Sequence, residues 1–341
     1  MRLSRSLAFT TLLTLAAGCG SSEQFSWIAP EGYTGDTSSS DRPSSGIPGG
    51  LLTAGAWDDN RNFALFEAYL ATHASLAGQP ELTAAEREAA HEDFSGAREP
   101  QGALDIALLV DTTGSMGDEL AYLKVELGAI ATRLAEEFPN VPQRWALVLY
   151  RDEGDAYVTR SVDFTADVAA FQAELDAQGY DGGGDTPEAA DQGLAEAVAL
   201  SWSAGSVARL MFWVADAPHH EERAEAITDA MRVARNRDVH IYPVAASGVD
   251  ELAELSMRSA AQLTGGRYLF LTDDSGVGET HKEPTIPCYF VTRLDHAMLR
   301  MAAIELSGRY REPAAAELIR TGGDPADGRC ELAGGQQAII F

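Results

Sequence analysis

Residues 107–120 read ALLVDTTGSMGDEL, and the fold turns on how they are taken. An apolar run stops at Asp111; two Thr, a Gly and a Ser follow, and helical spacing begins near Asp118. Leu104–Val110 (LDIALLV) is apolar but for Asp105, the pattern of a strand covered on both faces. Working outward, Glu119–Phe138 has the period of an amphipathic helix. WALVLY (145–150), RLMFWVA (209–215), VHIYPVA (239–245) and RYLFL (267–271) read as further strands, and AYVTRSV (156–162) as a polar edge strand. Helices are expected at 167–178, at 187–201 with Pro187 in the first turn, at 221–237 and at 251–263. Such alternation predicts an α/β fold: a doubly wound, mostly parallel sheet with helices on both faces.

In open parallel sheets, ligands gather beyond the carboxyl ends of the strands. Polar clusters fall at or near these ends: Asp111, Thr113 and Ser115 after one strand, Arg151, Asp152 and Glu153 after the next, GGGDTPE (182–188) ahead of a helix, and Asp216 after RLMFWVA. A single terminal Asp is readily a helix cap; several converging on one rim are less easily explained so. Hydroxyls at alternate loop positions, Thr113 and Ser115, can point the same way. With Asp111 and Asp216 they form an oxygen set suited to Mg²⁺ or Mn²⁺. A mostly neutral shell leaves such a cation electrophilic, able to take a carboxylate from outside.

These residues resemble the von Willebrand factor type A family and its metal-ion-dependent adhesion site. DTTGS (111–115) is similar to the Asp-x-Ser-x-Ser motif, with Thr113 for the first Ser; Thr186 matches the family's loop Thr and Asp216 its strand-ending Asp. The resemblance runs from Ala103 to Leu271. It implies a doubly wound sheet, a bound divalent cation held by Asp111, Thr113, Ser115, Thr186 and Asp216, and a protein partner recognised through an exposed Asp or Glu. GDTPE is also similar to the D-[ST]-P-E loop of the integrin β-subunit domain. That likeness puts Glu188 in competition with Thr186 for one ligand role, and implies a second, Ca²⁺, site from Asp185, Glu188, Asp152 and the Pro187 carbonyl.

Enzyme readings find little support. Lys124 and Lys282 are the chain's two lysines, and neither completes a phosphate-binding G-x-x-x-x-G-K-[ST] loop. DTTGS is similar to the DKTGT motif of ion-pumping ATPases but lacks its Lys, and no G-x-S-x-G elbow occurs. His219 and His220 lack a helix-spaced partner for zinc and read as a solvent-exposed pair. The expectation is a binding module and not an enzyme. The alternative is a structural or assembly protein whose metal mainly stabilises the fold.

A net charge of −27 repels phosphate backbones, which argues against nucleic acid as a partner. Arg2 and Arg5 precede an apolar stretch, Leu7–Ala17, of signal-peptide length. LAAGC, ending at Cys19, resembles a bacterial lipobox. This implies removal of residues 1–18, lipidation of Cys19, and a lipid-anchored place in the cell envelope, at the outer membrane. Residues 19–55, rich in Ser, Gly and Pro, read as a flexible tether. Residues 56–101 read as a helical N-terminal segment, with Asp58, Asp59 and Asn60 as candidate caps and a second helix at 83–93. By the resemblance, residues 102–272 are expected to form the type A domain, and 273–341 a C-terminal extension with one helix, 292–306. In an oxidising compartment, Cys288 and Cys330 are expected to form one disulfide tying the tail to the body.

Overall fold

The computed structural model describes residues 52–94, 98–184, 186–277 and 280–341, apart from the side chains of Asp118 and Glu119. The signal peptide, Cys19, nearly all of the expected tether, and Asp185 lie outside the described residues.

In chain order the elements are β1 (Thr53–Trp57), α1 (Phe63–Thr72), α2 (Ala84–Phe94), β2 (Leu104–Asp111), α3 (Gly117–Glu137), β3 (Gln143–Tyr150) and β4 (Thr159–Thr165). Next come α4 (Val168–Asp176), α5 (Ala190–Ala199), β5 (Ala208–Ala215), α6 (Ala224–Asn236), β6 (His240–Ala245), α7 (Glu251–Thr264) and β7 (Tyr268–Leu271). The chain closes with β8 (Tyr289–Arg293), α8 (Leu294–Ser307), β9 (Arg320–Gly322), β10 (Arg329–Glu331) and β11 (Gln337–Ile339). Nine strands make one sheet in the order β4-β3-β2-β5-β6-β7-β1-β8-β9. Its centre, β3-β2-β5-β6-β7, is parallel. On one flank β4 is antiparallel, and on the other β1, β8 and β9 add antiparallel pairs.

Alternation along β2 divides the core, because successive strand side chains point to opposite faces. Ile106, Leu108 and Val110 pack with α3, α4 and α8. Ala107 and Leu109 pack with α5, α6 and α7. Helices thus cover both faces, and the parallel strands deliver their carboxyl ends to one rim. No helix among the described residues is long and apolar enough to cross a membrane.

The structure departs from the sequence expectations at both ends of the sheet. Residues 53–57, expected as the end of a tether and the start of a helical segment, form β1, buried along its length between β7 and β8. The middle of TAGAW, Ala54–Ala56, is small where strands usually carry branched residues, and its neighbour is bulky. A Cβ on Gly55 would stand 2.2 Å from the Phe270 ring. Asp58, Asp59 and Asn60 do not cap α1, whose N-cap is Asn62. They meet buried partners instead: Arg267 with Asp58, Arg258 with Asp59, and Gln262 with Asn60. The last helix begins two residues later than expected, since Tyr289–Arg293 pairs with β1 as β8. α5 starts at Ala190, so Pro187 lies in the preceding loop. Cys288 and Cys330 form a disulfide that ties β10 to the start of β8.

Candidate functional site

Asp111 is the last residue of β2 and wholly buried. Its Oδ1 accepts from the Thr113 backbone N–H at 2.9 Å and from the Thr113 hydroxyl at 2.7 Å. Its Oδ2 is buried without a hydrogen-bond partner. Behind it stands Tyr150, whose hydroxyl accepts from Trp213 Nε1 at 3.1 Å. Burial first, then the Asp216 charge, pushes the Asp111 carboxyl up to about 7. Thr113 is buried, and its hydroxyl lies 3.4 Å from that of Ser115, which is exposed. The pair therefore runs from the buried carboxylate out to solvent.

Residues 182–184 fold onto this turn. Gly114 N–H donates to the Gly182 carbonyl at 3.2 Å. Gly183 has φ +63°, and a Cβ there would meet Thr113 Cβ at 2.7 Å and Glu188 Oε1 at 2.9 Å. Only glycine lets the loop pass between these side chains. Glu188 is buried with Oε2 unpartnered. Burial, then Asp111, Asp152, Asp155 and Asp216, pushes its carboxyl up to about 9. Thr186, by contrast, is exposed. Asp216, directly after β5, is buried beside Asp111 and Glu188. Asp152 is half-buried and takes His220 Nε2 at 2.7 Å.

The structure thus brings Asp111, Thr113, Glu188 and Asp216 together, with Ser115 at the mouth. Sequence reading missed two neighbours, Asp155 and Tyr150, placed Arg151 on the rim without a role, and took His219 for a surface residue. Asp155 accepts from Gly183 N–H and Asp152 N–H, each at 3.2 Å; its signal was the acidic run Asp152–Asp155. Arg151, stacked 4.6 Å over Tyr157, donates to the Gly179 carbonyl at 3.2 Å and props the glycine loop. Tyr150 left no mark in the sequence beyond its place in a strand. His219, expected exposed, is 1% exposed. Burial pulls its imidazole down to about 4.

A divalent cation suits this set. Two buried carboxylate oxygens have no partner, carboxylates crowd one another, and two hydroxyls stand at alternate positions. Among the described residues no three His, Cys, Asp or Glu side chains are placed to hold a metal by themselves. A cation here needs the hydroxyls as well, which is the preference of a hard ion for mixed oxygen donors.

The sequence profile of the family described as von Willebrand factor A domain matches residues 105–276, about half of the chain. The putative ariadne-like RING finger protein R811 of Acanthamoeba polyphaga mimivirus is 33% identical over 128 residues, which are 36% of this chain and 12% of that protein. The chain therefore spans about an eighth of that relative. Among solved structures, the conserved hypothetical protein BatB of Bacteroides thetaiotaomicron overlays with a TM-score of 0.38 and 14% identity, covering 50% of this chain and 90% of that one. The pilus adhesin SpaC of Lactobacillus rhamnosus GG, in its open conformation, overlays with 0.38 and 13%, covering 49% and 28%. Neither overlay is close enough to carry an argument. On the matched residues 105–276 and the sheet they build, the chain belongs to the von Willebrand factor A domain family.

Proposed function

We propose that this chain is a binding module of the bacterial cell envelope that holds a divalent cation, Mg²⁺ or Mn²⁺, and grips a protein partner through that partner's Asp or Glu. The reading rests above all on one observation: Asp111 Oδ2 and Glu188 Oε2 are buried without partners beside hydroxyls that lead out to solvent. Buried carboxylates left uncompensated cost free energy, and a cation would offset it. Asp111, Thr113, Ser115 and Asp216 would hold the ion, directly or through water. Glu188 takes the fifth position in preference to Thr186, because Glu188 is buried across Gly183 from Thr113 and Thr186 is exposed. When bound, the ion supplies a Lewis-acid site for an incoming carboxylate. The role of the chain is recognition and not catalysis. A second, Ca²⁺, site at Asp152, Glu188 and Asp185 is part of the proposal; identical Ca²⁺ stoichiometry for wild type and Asp185→Ala would remove it. Anchoring follows from Cys19. Radiolabelled palmitate should enter the wild type and not Cys19→Ser.

The test is a crosslinking pull-down from native envelopes with Mg²⁺ and with chelator. Capture should be lost in chelator and in Asp111→Ala, while circular dichroism shows the fold intact. The same crowded carboxylates support a second reading, in which the cation chiefly stabilises the fold within an assembly. Capture that persists in chelator while Tm falls would favour it and sink the first.

A further inference from the structure

Residues 73–82 lie outside the matched region, and no chemistry in their sequence assigned them a role. In the structure they reach the rim. Glu81 N–H donates to Thr228 Oγ1 at 2.8 Å, and Arg232 donates to the Glu81 carbonyl at 2.9 Å, so α6 holds the segment down. At its tip is Gly78, with φ +74°. A Cβ there would stand 2.7 Å from the Glu221 Cα, so the two main chains pass in close contact. The Gly78 carbonyl meets His219 Nε2 at 2.9 Å. A carbonyl only accepts, so Nε2 carries the proton. Nδ1 then accepts from the Ser256 hydroxyl of α7, 3.4 Å away.

His219 sits between two groups of the rim. Asp216 lies three residues before it. The carbonyl of Pro218, its chain neighbour, accepts from the Glu188 N–H at 2.9 Å, and Glu188 and His219 form a parallel bridge. We propose that residues 73–82 brace the cation rim, with His219 as the positioning residue that transmits their contact to Glu188 and Asp216. Two hydrogen bonds, Gly78 to the imidazole and Glu188 to the Pro218 carbonyl, are joined by the Pro218–His219 peptide link into one path from segment to rim. Its sense is that of an outer shell around a metal, where a neutral imidazole fixes the main chain that carries the ligands. The inference rests on the cation reading above.

The full chain tests it with His219→Ala, His219→Gln and Gly78→Ala. Mg²⁺ affinity is measured by calorimetry at 25 °C, and backbone amide exchange is followed on the metal-free proteins. Loss of an outer-shell partner weakens metal binding about tenfold or more. His219→Ala should lose that much. His219→Gln, which keeps a donor, should recover part of it. Gly78→Ala, whose methyl pushes the segment away, should lose affinity without touching the rim. Exchange should quicken at 186–190 and 216–220 and stay unchanged in β2 and β3. Wild-type affinity in both Ala variants would overturn the brace. So would weaker affinity accompanied by faster exchange throughout the sheet. Should His219→Ala fail to fold, Gly78→Ala decides by the same readings. A wild-type chain that takes up no Mg²⁺ would instead overturn the cation reading, and the brace with it.

Discussion

Asp111 ends a strand whose other residues, Asp105 at its start aside, are apolar, and it cannot escape the core that the strand builds. The folded chain holds a proton on it up to about 7, against an ordinary 3.8, and on Glu188 up to about 9, against 4.5. The folded state therefore binds these protons more tightly than the unfolded one. Without a cation, stability should fall as pH rises from about 4 towards 9. Mg²⁺ binding must displace the same protons, so its affinity should rise over that window. Melting curves with and without Mg²⁺ across that range check both signs; affinity independent of pH would refute them. Asp111→Asn removes a buried charge and a ligand together. At pH 8 its metal-free Tm should rise, by about 2–4 °C for each kcal/mol recovered, while its Mg²⁺ affinity falls. A lower metal-free Tm would contradict the account.

At the scale of elements, β1 and α1 show how a polar segment becomes interior. Arg258 of α7 is buried and needs a counter-charge. Asp59 supplies it through two hydrogen bonds, 2.7 and 3.1 Å, while the Tyr69 ring of α1 lies 3.9 Å from the guanidinium. Glu254 Oε1, 3.3 Å away, is a second counter-charge to Arg258. Removing one partner of a buried pair costs about 3–5 kcal/mol when the other charge is left bare. With Glu254 in place, Asp59→Ala should lose about 1–3 kcal/mol by urea denaturation, the order of lost hydrogen bonds to a charged group. A loss below 1 kcal/mol, the order of an exposed ion pair, would show that the segment is loosely held. α2 carries a smaller device: Thr83 Oγ1 accepts from Glu86 N–H at 3.2 Å, and the Glu86 carboxylate accepts from Thr83 N–H at 2.8 Å. The reciprocal pair is a capping box, with Thr83 and Glu86 three residues apart.

In the described C-terminal region, β8 and β9 belong to the same sheet as the matched domain, while β10 and β11 pair in a separate two-stranded sheet. β8 pairs with β1, and α8 packs beside α3 on one face of the core. The Cys288–Cys330 disulfide closes a loop with a sequence separation of 42. A cross-link of that span contributes about 2–4 kcal/mol. Cys330→Ser with Cys288→Ser should lower stability by that order, and non-reducing gels should separate wild type from the double variant. Equal Tm values would show that the strand pairing alone holds the tail.

The parallel centre was legible because each of its strands is a mostly apolar run, with charges near its start or at its end, and each crossover carries a segment of helical period. Local pattern suffices where burial on both faces leaves no choice. Asp111, Thr113, Ser115 and Asp216 were legible because polar residues at the ends of such runs have few other reasons to be there. That Glu188 is buried and Thr186 exposed was not, since both lie in one short loop and only the folded chain places one inside and the other outside. Nor was β1, whose small residues carry no strand signal until Phe270 is seen to fill the space above Gly55. His219 read as a loop residue for the same reason: its partners, Gly78 and Ser256, are distant in sequence. The sequence by itself determined the period and order of the central elements, and so the parallel core of the sheet and the rim where polar residues collect. Only the tertiary structure decided which of those residues meet, because long-range contact, unlike periodicity, depends on shapes that no local stretch encodes.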